Sequence, residues 1–163
     1  MPSGRAADSS VSTELIQEVM AASRLLVAVS VQSMQDLDPA LTPIQVRTLL
    51  ILASRDSIRP TELADALGVH ASNATRACDK LVVAGRIQRQ ENPDNRRSQI
   101  LRLTPAGRAA IRSISRRRAR AIAKILEALP AERRRPVAAA MGEFAAAGGE
   151  AEDSALWASG WTT

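Results

Sequence analysis

The chain is 163 residues long, 45% hydrophobic, with a formal net charge of +5, a composition that can bury one core and that favours polyanionic partners. One cysteine leaves no intramolecular disulfide framework, one histidine leaves no cluster for a protein-built metal site or a nucleophile-histidine triad, and no glycine-rich phosphate loop occurs, so neither an enzyme nor a cofactor is expected. No apolar run reaches membrane-spanning length, and residues 1–10, polar with Gly and Pro, lack the apolar stretch of a signal peptide; the expectation is a cytoplasmic protein with no membrane partner and a disordered tail over 1–10.

From Val11 to Gln35 apolar residues recur at Leu15, Val19, Ala22, Leu26 and Val29, the spacing of an amphipathic helix about 25 residues long. A further helix spans Ile44 to Leu52. Next, TELADALG (61–68) places Leu63, Ala64 and Leu67 on one face and closes on Gly68, which suits the left-handed conformation that ends a helix. A second short helix begins at Ala71. Its inner face is Ala74, Ala77, Cys78 and Leu81, and its outer face is Ser72, Asn73, Thr75, Arg76 and Lys80. In a helix-turn-helix the second helix touches base edges with its N-terminal residues, where asparagine pairs with adenine and arginine with guanine. An ordinary solvated helix face would carry the same residue types.

The segment that follows favours DNA. Ile87 and Arg89 alternate within 86–91, Asn92-Pro93-Asp94-Asn95 is dense in turn formers, and 98–103 alternates again around Ile100, which predicts a β-hairpin. Arg96 and Arg97 sit at its tip, and long cations on a projecting ribbon suit a narrow, electronegative minor groove. Arginine dominates from Arg86 through Arg120, against only Glu91 and Asp94, so positive charge gathers beside the proposed reading head. Part of the 116–120 cluster is ordinary solubilising surface.

Thr104 caps a second long helix that starts at Pro105, carries Ile111, Ile114, Ile122, Ile125, Leu126 and Leu129, and ends at Pro130. A third segment reaches Ala147 through Val137, Met141 and Phe144, and Pro136 is expected to kink it or force it to restart. The fold expected is mainly α with a small β-hairpin wing. Its long flanking helices carry more apolar surface than a small winged unit can cover.

Over roughly Val11 to Ala147 the chain resembles the MarR (multiple antibiotic resistance) transcriptional regulators, most specifically in LTPIQVRTLLILA at 41–53, GVHASNATRACDKLVVAG at 68–85 and NPDNRRSQILRLTPAG at 92–107. The resemblance implies a winged helix-turn-helix over 41–103 and a helical dimerisation region over 11–38 and 104–147; beyond it, composition gives an acidic, tryptophan-containing C-terminal tail over 148–163. The resemblance also implies that Ser72, Asn73, Thr75 and Arg76 face the major groove of double-stranded DNA, and that Thr61, at a helix N-terminus, approaches a phosphate; Lys80, a cation further along the same outer face, is counted with the DNA-binding set. The family wing reads Asp-x-Arg, five residues, then Leu-Thr-x-x-Gly. Counted back from Leu103-Thr104 and Gly107, the arginine is Arg97 and the aspartate position holds Asn95, a departure that leaves Asp94 to support the wing or Arg97 to be held more loosely. Similarity further implies a homodimeric repressor on an inverted-repeat operator, released by a small-molecule effector in the cleft between the dimer helices and the reading head, against the first helix and the Ile44 to Leu52 helix.

Single residues carry less. Cys78 reads as a small core hydrophobe rather than a redox switch, and His70, at the cap of the reading helix, as a solvated or phosphate-adjacent imidazole. Trp157 and Trp161 in the tail are expected to dock against a dimer helix or cleft. Two other classes stay open: a basic nucleic-acid-binding module without sequence-specific regulation, and a helical small-molecule-binding protein.

Overall fold

The computed structural model describes residues 11–35, 37, 40–55, 57–93 and 95–148; the expectations for the tail over 1–10, for Asp94 and for Trp157 and Trp161 lie outside them. In chain order the elements are α1 (Thr13–Gln35), α2 (Pro43–Ala53), α3 (Pro60–Leu67), α4 (Ala71–Val83), β1 (Ile87–Asn92), β2 (Asn95–Leu103), α5 (Pro105–Glu127) and α6 (Ala131–Ala147). Proline opens α2, α3 and α5, where its fixed φ suits the first turn and its missing N–H is not needed. The residue before each proline is extended, and side chains finish the caps. The backbone N–H of Thr42 donates to Gln45 Oε1 at 2.8 Å, that of Arg59 to Glu62 Oε2 at 3.0 Å, and Gly107 N–H to Thr104 Oγ1 at 3.0 Å.

The core lies where α2, α3, α4, the base of the hairpin and the first half of α5 meet. Leu49, Leu63, Leu81 and Leu101 are completely enclosed there, with Leu52, Ile58, Ile87 and Ile114 nearly so. Ile58, in the α2–α3 connection, pairs with Leu101 in both directions, accepting its N–H at 2.8 Å and donating to its carbonyl at 3.2 Å. This bridge adds a third backbone to the hairpin base and locks the α2–α3 connection to the wing.

Two expectations need correction. Period-two alternation does not hold along β1, where Ile87 alone is buried, because only the base of the ribbon lies on the core and the rest projects from it. In β2 both Ile100 and Leu101 are buried, since the base is covered on both faces. Of the two outcomes expected at Pro136, the restart does not occur: α6 runs as one helix from Ala131 to Ala147. The proline forfeits one helical hydrogen bond, the one to the Glu132 carbonyl, and the bonds on either side carry the helix past it.

The amphipathic stripe of α1 is used unevenly. Val29, Ser33 and Met34 are buried, whereas Leu15, Ile16, Val19 and Met20 are about half exposed, between 42% and 56%. In α6 no residue is buried, and Phe144 is 59% exposed. Among the described residues no helix is long and apolar enough to cross a membrane.

Candidate nucleic-acid interface

The helix pair is built by its small residues. Gly68 takes φ 66°, which costs glycine nothing, and the turn closes with Val69 N–H on the Ala64 carbonyl at 3.2 Å. Leu63, Ala64 and Leu67 of α3 share one buried cluster with Ala74, Cys78 and Leu81 of α4, and Ala77 is buried as well, so α4 is fixed by its inner face. That packing turns the rest of α4 outward. Ser72, Asn73, Thr75, Arg76 and Lys80 are all exposed, as expected from the helical period. Thr75 donates its hydroxyl to the Ala71 carbonyl at 2.8 Å, leaving its oxygen free to accept. Thr61 is exposed at the second position of α3, and His70 caps α4 through its backbone carbonyl, which accepts from Asn73 and Ala74.

The wing is joined to this helix by a compact corner. Gly85, at φ 65°, turns the chain, and Arg86 N–H reaches back to the Leu81 carbonyl at 2.9 Å. Thr104 then ties the far strand to the same corner. Its hydroxyl lies 2.7 Å from the Gly85 carbonyl and 2.9 Å from that of Arg86, and its N–H donates to Arg86 at 3.1 Å. Sequence periodicity identified Thr104 only as a helix cap; its second use joins residues far apart in the chain. At the outer end Asn92 pairs with Asn95 in register, Asn92 Nδ2 donates to Ser98 Oγ at 3.1 Å, and Ser98 Oγ donates to the Asn95 carbonyl at 3.0 Å. Arg96 and Arg97 belong to β2, on the outer part of the ribbon.

A further contact is invisible in the sequence pattern. Arg89 of β1 donates to Asp79 of α4, Nη2 to Oδ1 at 2.5 Å, a link from wing to helix beyond the corner. Next to Asp79 on the inner side of α4 lies Cys78, 3% exposed, whose thiol is pushed above its usual value by burial. A thiol held protonated in this way is a packing residue rather than a nucleophile. Among the described residues no three of His, Cys, Asp and Glu gather where a metal could bind.

A concavity lies between α1 and α5. Val29, Gln32 and Ser33 of α1 and Arg117, Arg120, Lys124 and Ile125 of α5 line a cleft of about 450 Å³. Arg117 Nη1 is buried there with no hydrogen-bond partner among the described residues.

Comparison with known proteins agrees with this geometry. The MarR family model matches residues 41–99. The multiple antibiotic resistance protein MarR of Salmonella typhimurium is 30% identical over 102 residues, 60% of this chain and 71% of that protein. The transcriptional repressor MprA of Escherichia coli is 41% identical over 68 residues, 40% of this chain and 39% of that one. The crystal structure of RV1404 from Mycobacterium tuberculosis superposes with a TM-score of 0.75 at 37% identity, covering 88% of this chain and 99% of that one.

Proposed function

Because the chain belongs to the MarR family of winged-helix transcriptional regulators, we propose that it is a homodimeric repressor that reads an inverted-repeat operator and is released by a small-molecule effector. The observation that carries DNA reading is the outward face of α4, where Asn73 and Arg76 stand exposed near the helix N-terminus while Ala74, Ala77 and Cys78 anchor the opposite side. Base edges in the major groove are read by this kind of short donor and acceptor set, held on a helix that cannot rotate. The wing adds Arg96 and Arg97, on the outer part of a ribbon, for the adjoining minor groove. Thr61, exposed early in α3, is read as a phosphate contact.

Dimerisation draws its support from what the single chain leaves uncovered: Leu15 and Val19 on α1, and an α6 that buries nothing of its own. Two copies related by a twofold axis carry two heads, hence an operator with two half-sites. The repressor part rests on similarity to MprA, a transcriptional repressor.

The effector reading is supported by the cleft between α1 and α5, whose cations lack any lining carboxylate and whose walls include Val29 and Ile125. That lining fits a small organic anion with an apolar body. Operator binding titrated with a panel of such anions tests it: a competitor whose effect disappears in Lys124→Ala is expected, and indifference of the wild type to the whole panel would end the reading.

The test of DNA reading is Arg76→Ala. Operator affinity should fall by about 1 to 3 kcal/mol, with preference relaxed at one base pair per half-site. Equal losses on operator and on random duplex would reduce Arg76 to a phosphate contact.

A further inference from the structure

Asp79 is the one acidic residue on α4, among Arg76, Lys80 and the polar face that meets DNA in the reading above. By Coulomb's law a carboxylate there repels phosphates, so its presence asks for a compensating role. Its partner supplies one. The Asp79–Arg89 bond closes a ten-residue span that contains the Gly85–Arg86 corner held by Thr104. The corner and the Ile58–Leu101 bridge hold the root of the wing. The Asp79–Arg89 link lies beyond that root, joining a residue back along α4 to one further out along β1, where the ribbon projects from the core. Both side chains are partly exposed, at 36% for Arg89 and 52% for Asp79, so the pair adds little to the folding of the chain.

We infer that Asp79 and Arg89 are positioning residues for operator reading: their ion pair sets the angle between recognition helix and wing at which Arg76 and Arg97 reach the major and minor grooves of one half-site together. The inference rests on the DNA-reading function proposed above. Specificity needs that angle and nonspecific attraction does not. A phosphate contact gains affinity on any duplex, whereas simultaneous readout of two grooves is lost when the wing swings even slightly.

The signs of the expected effects separate this role from simple charge. In Asp79→Asn, removing a negative charge should raise affinity for random duplex, while loosening of the wing should lower affinity for the operator; we expect about two- to fivefold in each direction, the range an exposed ion pair can supply. Arg89→Gln should weaken operator binding by a similar factor. The exchange Asp79→Arg with Arg89→Asp restores the pair with reversed polarity, keeps net charge, and should return the operator-to-random affinity ratio to within about twofold of wild type. Affinities are read on the full-length dimer at two salt concentrations, with a duplex selected by the wild-type protein and a scrambled duplex of equal length. Thermal melting confirms that each variant is folded.

Tighter binding of Asp79→Asn to both duplexes would overturn the inference, leaving Asp79 as mere repulsion. So would a double exchange that melts like wild type but recovers no discrimination. Failure of the underlying reading looks different, because the wild-type protein itself would then not distinguish the two duplexes.

Discussion

Gly107→Ala is expected to destabilise the protein by about 3 kcal/mol or more, the largest single-residue effect at the wing corner. A Cβ at Gly107 would stand 2.1 Å from the Arg86 carbonyl oxygen and 2.6 Å from Leu103 Cδ1. The first obstacle is backbone, and that backbone is held by Thr104 through two contacts and by the Arg86 link to Leu81, so it cannot give way cheaply. Relief would come from moving the start of α5, which breaks the Gly107–Thr104 cap at a further cost of about 1 kcal/mol. Gly142 provides the control. It lies within α6, where an added Cβ would meet nothing within 4 Å, so alanine there should stabilise by about 0.5 to 1 kcal/mol. Urea unfolding of both variants at one fixed protomer concentration measures the contrast, and a Gly107→Ala midpoint equal to wild type would refute the crowded corner.

The second large effect concerns assembly. Leu15→Glu combined with Val19→Glu should dissociate the dimer at micromolar concentration. Both residues are about half exposed in the single chain, so in a monomeric protein the double substitution would be almost silent. In a twofold dimer each change occurs twice. Four apolar side chains lost from an interface, at about 1.5 kcal/mol apiece, amount to about 6 kcal/mol. Sedimentation should then show single chains where the wild type shows pairs, and operator affinity should fall with loss of the second head. A wild-type protein that sediments as one chain, or a double variant that still pairs, would contradict the assignment of α1 to the interface.

Much of the proposed reading surface was legible because it follows from one helical period. Once Ala74, Ala77, Cys78 and Leu81 are taken as the inner side of α4, the outward set from Ser72 to Lys80 follows, and the structure places it so. Gly68 and Thr104 were legible for a similar reason, each having a local backbone task. Contacts that depend on tertiary approach were not. Nothing in the local pattern around Ile58 reveals that it pairs with Leu101, or that Gly107 must pass against the Arg86 carbonyl. The Asp79–Arg89 link was hidden in the same way, since an aspartate on a helix and an arginine on a strand have many possible partners until the corner angle is known. β1 failed the alternation rule because that rule presumes one buried face along the whole strand, and a projecting wing buries only its root. Pro136 does not force a restart because an interior proline removes one bond of the helical ladder and the bonds on either side carry the helix past it.

The central claim, that two identical heads read one twofold-symmetric DNA site, is tested most directly by selecting bound fragments from genomic DNA with the wild-type protein and footprinting the enriched duplexes at physiological salt. The predicted result is an inverted repeat with two protected half-sites about one helical turn, roughly 10 base pairs, apart and on one face of the duplex. No enrichment over random fragments, or protection of a single unsymmetric half-site by the paired protein, would contradict it.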